Sequence, residues 1–134
     1  MDENTKQDIV RNKKVKKLAR KYFKWWTHHL GLRYGSLSMC FVDYISNSKA
    51  GLKYINPDQV GSCSTDWRYQ ETDITLAVNK LSELSKEDIE ITIVHELMHV
   101  FLNEMREEGI DHEERVATNL QKAFMWVRNE SRKE

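Results

Sequence analysis

A chain of 134 residues with one proline and no low-complexity tract suits a single domain, residues 1–134, around one core. Apolar residues at 40% and charged residues at 31% match a globular protein, and no apolar run approaches the roughly 18 residues of a membrane span. Cys40 and Cys63 lack CxxC spacing and are too few for a disulfide framework, so we expect buried apolar thiols.

The opening MDENTKQDIV is polar and lacks the apolar stretch of a secretory signal, so a cytoplasmic protein is expected. The net charge is zero but unevenly spread. Arg11 to Arg33 holds nine Lys or Arg and no acid, whereas Ser82 to Glu114 holds eleven acids and two bases. Such asymmetry marks either a polyanion-binding surface or two halves that pack on each other.

The spacing of Val15, Leu18, Ala19, Tyr22, Trp25 and Trp26 predicts a helix over residues 6–29, with Gly31 as its stop. Trp25 and Trp26 read as core anchors, and the intervening lysines as a solvated face. Leu37 to Tyr44 reads as a strand, 46–61 as a loop carrying Gly, Asn and Pro-Asp signals, and Cys63 to Tyr69 as a second strand. Asp73 to Val78 alternates, with Ile74, Leu76 and Val78 on one face, and reads as a third strand. Ser85 with Asp88 resembles a capping box at the start of a second helix. Ile89, Ile93, Val94, Leu97, Val100 and Phe101 carry that helix to about Glu104, and Gly109 stops it. A third helix runs from Asp111 through Val116, Ala117, Leu120, Phe124 and Val127. The order implies an α+β fold: an N-terminal helix, a small three-stranded, mainly antiparallel sheet and two helices.

Chemistry concentrates in the second helix, at His95-Glu96-Leu97-Met98-His99. Histidines at i and i+4 share one helix face and can bind one ion. Glu96 then points beside that ion, where it can take a proton from a water on the metal. The pair sits inside the apolar run ITIVHELMHVFL, where buried imidazoles need partners. A catalytic zinc takes a third protein ligand and keeps one position open. Asp111, His112, Glu113 and Glu114 stand at the start of the third helix. Glu113 precedes Val116, Ala117 and Leu120 by three, four and seven residues, so it extends the buried stripe and is the expected third ligand. Glu114 and His112 are the alternatives, Glu114 with a second role as capping-box partner of Asp111.

VHELMHVFLN followed by HEERVATNL resembles the compact gluzincin metallopeptidases, and is similar to ImmA/IrrE-like proteins and small phage-encoded metallopeptidases. The likeness covers residues 73–124. It implies a minimal zincin-like fold, an edge strand at Asp73 to Val78 flanking the cleft, Zn2+ on His95, His99 and Glu113, Glu96 as general base, and a protein or peptide substrate. EERVATNL departs from the EAN-x-F-A pattern of ImmA/IrrE-like helices, and SprT-like proteases use a third His, which keeps His112 in play.

The substrate strand is expected to pair with Asp73 to Val78, so that a proline at Leu76 would impair peptide binding. Tyr54, Tyr69 and His112 are candidate oxyanion donors. A non-catalytic binding module with a metal-stabilised peptidase-like fold is the alternative function, with no membrane partner expected. Nucleic-acid binding by the basic helix would show steep salt dependence.

Overall fold

The computed structural model describes residues 2–32, 36–66, 71–102 and 112–133, with only the backbone of 47–49. The expected helix stop at Gly109, Asp111 and the oxyanion candidate Tyr69 lie outside the described residues.

The first helix, α1 (Glu3–His29), starts three residues earlier than its apolar periodicity, because the Asp2 carboxylate caps it by accepting from the Thr5 N–H at 2.7 Å. Next come β1 (Ser36–Val42), β2 (Ile45–Lys49), β3 (Leu52–Asn56), β4 (Gly61–Asp66) and β5 (Glu71–Ala77). A single helical turn, α2 (Val78–Leu81), precedes α3 (Lys86–Leu102), and α4 (Glu113–Arg132) closes the chain. The Asp88 N–H donates to Ser85 Oγ at 3.1 Å, the capping contact expected at the start of α3.

The fold is α+β, with a small three-stranded sheet. Its order is β1-β5-β4, the β1–β5 ladder being parallel and the β4–β5 ladder antiparallel. A separate antiparallel hairpin, β2–β3, occupies most of the stretch read as loop. Ala50 and Gly51 connect it, both with positive φ, 54° and 79°, the geometry of a two-residue hairpin turn. Alanine seldom adopts that region, so the turn carried no Asn-Gly or Asp-Gly signal.

Asp73 to Val78 is not an edge. β5 is the central strand, with β1 on one side and β4 on the other, and Val78 belongs to α2. The alternation of β5 reports which face is buried, not whether a neighbour lies on either side. Among the described strands none pairs with the outer side of β4, the edge that packs against α3.

The core lies where one face of the sheet meets the helices. Ile74 and Leu76 of β5 pack with Ile93, Val94, Leu97 and Met98 of α3, with Ala19 and Trp26 of α1, and with Ala117 of α4. Trp26 is 3% exposed and anchors the core as expected, while Trp25 stacks on His29 with ring centroids 3.8 Å apart.

α3 and α4 pack antiparallel. Far from their connecting end, Glu90 is 1% exposed and still fully partnered. It accepts from Trp26 Nε1 at 2.8 Å and from Arg132 Nη2 at 2.9 Å, with Arg128 Nε at 3.6 Å. A buried carboxylate is tolerated when its oxygens are bonded in this way. This cluster ties α1, α3 and α4 together at one end of the helix pair.

Candidate metal centre

The other end of the pair holds the histidines. His95 and His99 lie one turn apart on α3, with ring centroids 5.1 Å apart. α4 begins directly opposite. His112, the residue before it, has φ of 67°, a left-handed value that turns the chain abruptly into the helix. Both Glu113 and Glu114 therefore fall in the first turn and reach α3.

The two carboxylates do different things. Glu114 Oε2 lies 3.1 Å from His95 Nε2, and Glu114 Oε1 lies 2.7 Å from His99 Nε2. Glu113 Oε2 lies 2.7 Å from Nδ1 of His99, on the opposite side of the ring. His95, His99 and Glu114 bring one ligand atom each within 4.8 Å of one another and can hold a metal ion. Glu113, the expected third ligand, is placed instead behind His99. His112 is exposed and stands outside the group.

Donor chemistry supports a cation at this point. With Nδ1–H of His99 donated to Glu113, Nε2 presents a lone pair toward Glu114. At 2.7 Å this nitrogen and the carboxylate oxygen share a proton, and a cation that replaced it would use the same lone pair and the same oxygen at a separation of about 3 Å. Carboxylate, imidazole and metal commonly form this kind of series, in which the outer carboxylate sets the tautomer.

Glu96 sits beside the group, 7% exposed. Burial pushes its carboxyl up to about 7, an effect that His99 opposes and the nearby Glu114 reinforces. The strand above it is Gly61 of β4. A Cβ there would stand 3.3 Å from Glu96 Oε1 and 3.0 Å from Leu76 Cδ2, so glycine lets β4 close over the carboxylate.

A cleft passes through the centre. One hollow of about 450 Å³ is lined by Val60, Thr92, His95 and Gln121. A second of about 220 Å³ is lined by Ser62, Cys63, His99 and Glu113. Both include Gln59, Gly61, Glu96 and Glu114, so they are two parts of one depression along β4.

No family model, curated protein or solved structure matches this chain. The site is therefore read from its own geometry.

Of the candidate oxyanion donors, Tyr54 lies on the exposed hairpin and His112 at the start of α4, and neither lines the cleft. The reading from sequence missed Gln59, whose Nε2 donates to the Gly61 carbonyl at 2.9 Å, and missed Gly61 itself. Only the Gly-flanked strand start at Gly61 offered a signal.

Proposed function

We propose that this chain is a zinc-dependent metallopeptidase of the compact gluzincin kind, with His95, His99 and Glu114 as metal ligands and Glu96 as general base. The observation that carries this reading is a buried carboxylate, Glu96, beside a two-histidine, one-carboxylate group that can hold an ion. Two histidines and a carboxylate leave a fourth position for water, as catalytic rather than structural zinc sites do. When bound there, zinc supplies Lewis-acid polarisation of a peptide carbonyl and lowers the pKa of water to about 7.

The protein residues do the rest. Glu96 takes a proton from the attacking water and passes it to the departing amine. Glu113 holds the His99 ring and its tautomer.

β4 offers a platform for the substrate backbone. The Val60 carbonyl accepts from the Ala77 N–H at 2.7 Å, and Gly61 stands opposite Leu76. Antiparallel alternation then directs the main-chain groups of Gly61, Cys63 and Thr65 away from β5. Among the described strands none pairs with that edge, and an extended peptide can add there as a further strand.

The test is the metal content of the purified protein, measured by elemental mass spectrometry beside His99→Ala, followed by Glu96→Gln on a peptide library. About one zinc per chain, lost in His99→Ala, with turnover abolished and metal kept in Glu96→Gln, is the expected outcome. Full activity in Glu96→Gln would overturn the mechanism. Zinc without turnover on any peptide would favour the binding-module alternative.

A further inference from the structure

A second depression lies away from the metal centre, along α1. Between α1 and the start of α3 it has a volume of about 620 Å³ and a floor of Val15, Leu18, Leu84 and Ile89. Lys14, Lys17, Lys21 and Lys86 stand around that floor. Lys14 also borders an adjoining hollow of about 400 Å³, lined by Lys6, Gln7, Val10 and Arg11. The two meet at Lys14 and together form a trough running from Lys6 to Lys21 of α1, about 22 Å at 1.5 Å rise per residue. No residue lining either hollow is acidic. Arg11 alone of the six cations has a short ion pair, to Asp8 at 3.1 Å, among the described contacts of this rim. None of the trough residues lines the cleft at the metal centre.

We infer that this trough is a docking site for an acidic amphipathic segment of a partner protein, with its apolar side chains on Val15, Leu18, Leu84 and Ile89 and its carboxylates on the surrounding lysines. The charge decides the sign of the partner, since six cations with no lining acid repel a basic segment and attract an acidic one. The floor decides its class. A phosphate backbone has no apolar face to set on four aliphatic side chains, whereas a helix with leucines at three- and four-residue spacing does. A bilayer surface is flat at this scale and would leave the recessed floor unfilled. The length also fits, because about 22 Å accommodates four turns of helix. The trough needs no metal, so the inference stands apart from the reading of the cleft.

Fluorescence anisotropy with a labelled 18-residue peptide, leucine along one face and glutamate elsewhere, tests it. The expected result is saturable binding that weakens at least tenfold when the leucines become serine. It also weakens at least tenfold when the protein carries Lys17→Glu and Lys21→Glu. Both lysines are exposed, so melting temperature and metal content should be unchanged. The neutral pair Lys17→Gln and Lys21→Gln should give an intermediate loss. Binding that is absent, or equal after charge reversal, would overturn the inference. So would tighter, lysine-dependent binding of an 18-base-pair DNA duplex or of phosphatidylglycerol vesicles at the same ionic strength.

Discussion

Glu113 and Glu114 are neighbours with separate tasks, and substitution should separate them. Glu113→Gln keeps the three ligand atoms but loosens the His99 ring, so metal affinity should fall about 10–100-fold, as for other outer-shell carboxylates. Glu114→Gln removes a proposed ligand and should cost more than Glu113→Gln in a competitive chelator titration. The reverse order would return the ligand role to Glu113. Glu96 supports a pH prediction on the metal-free protein. Its carboxyl titrates at about 7 in the fold against an ordinary 4.5, so the folded state holds the proton more tightly than the unfolded one. The burden is absent below about pH 4.5, grows as pH rises to 7 and is constant above, reaching about 3 kcal/mol. Metal-free Glu96→Gln should therefore melt higher than the parent at pH 8 and at the same temperature near pH 4. The histidine pair and Glu96 were legible because five adjacent positions carry them. The choice between the glutamates was not. Helical phase correctly made Glu113 the more buried, with its side chain 20% exposed against 77% for Glu114. Burial carried it under the ring, however, and left the more exposed Glu114 to span both Nε2 atoms.

Strands and helices tell a similar story. Apolar periodicity located all three long helices and the three strands of the sheet, since each turns one clear face to the core. It failed where pairing depends on partners distant in sequence. Nothing within Asp73 to Val78 states that β1 and β4 flank it, so the central strand read as an edge. The hairpin 45–56 was read as loop because its turn uses Ala50 at positive φ and its residues Leu52, Tyr54 and Ile55 remain exposed. Proline separates the two strands of the platform question. Leu76 is fully buried on the central strand, so Leu76→Pro should prevent folding rather than weaken a ligand. At Cys63 the N–H points off the free edge, so Cys63→Pro should keep the circular dichroism spectrum of the parent and lower peptide turnover. Unchanged turnover in a folded Cys63→Pro protein would remove β4 as the platform.

The whole molecule is a small sheet backed by three helices. Among the described residues no helix is long and apolar enough to cross a membrane. The charge asymmetry was visible in the sequence, but its use was not. The basic helix meets the acidic α3 through Trp26 and Glu90. Its cations line the outside, with Lys16 and Arg20 over the ring of Phe41 at 5.8 and 5.1 Å. Glu90→Gln breaks the buried anchor and should lower stability by about 2–4 kcal/mol in urea unfolding. A change within experimental error would mean that the arginines alone hold the helices. The anchor also bears on the order of events as the protein matures. It joins α1, α3 and α4 with protein groups alone, so the helix pair should stand whether or not an ion occupies the proposed centre. Loading of that centre would then be a reaction of a finished molecule. A chelator should empty the centre while amide protons of the core near Glu90 keep their slow exchange.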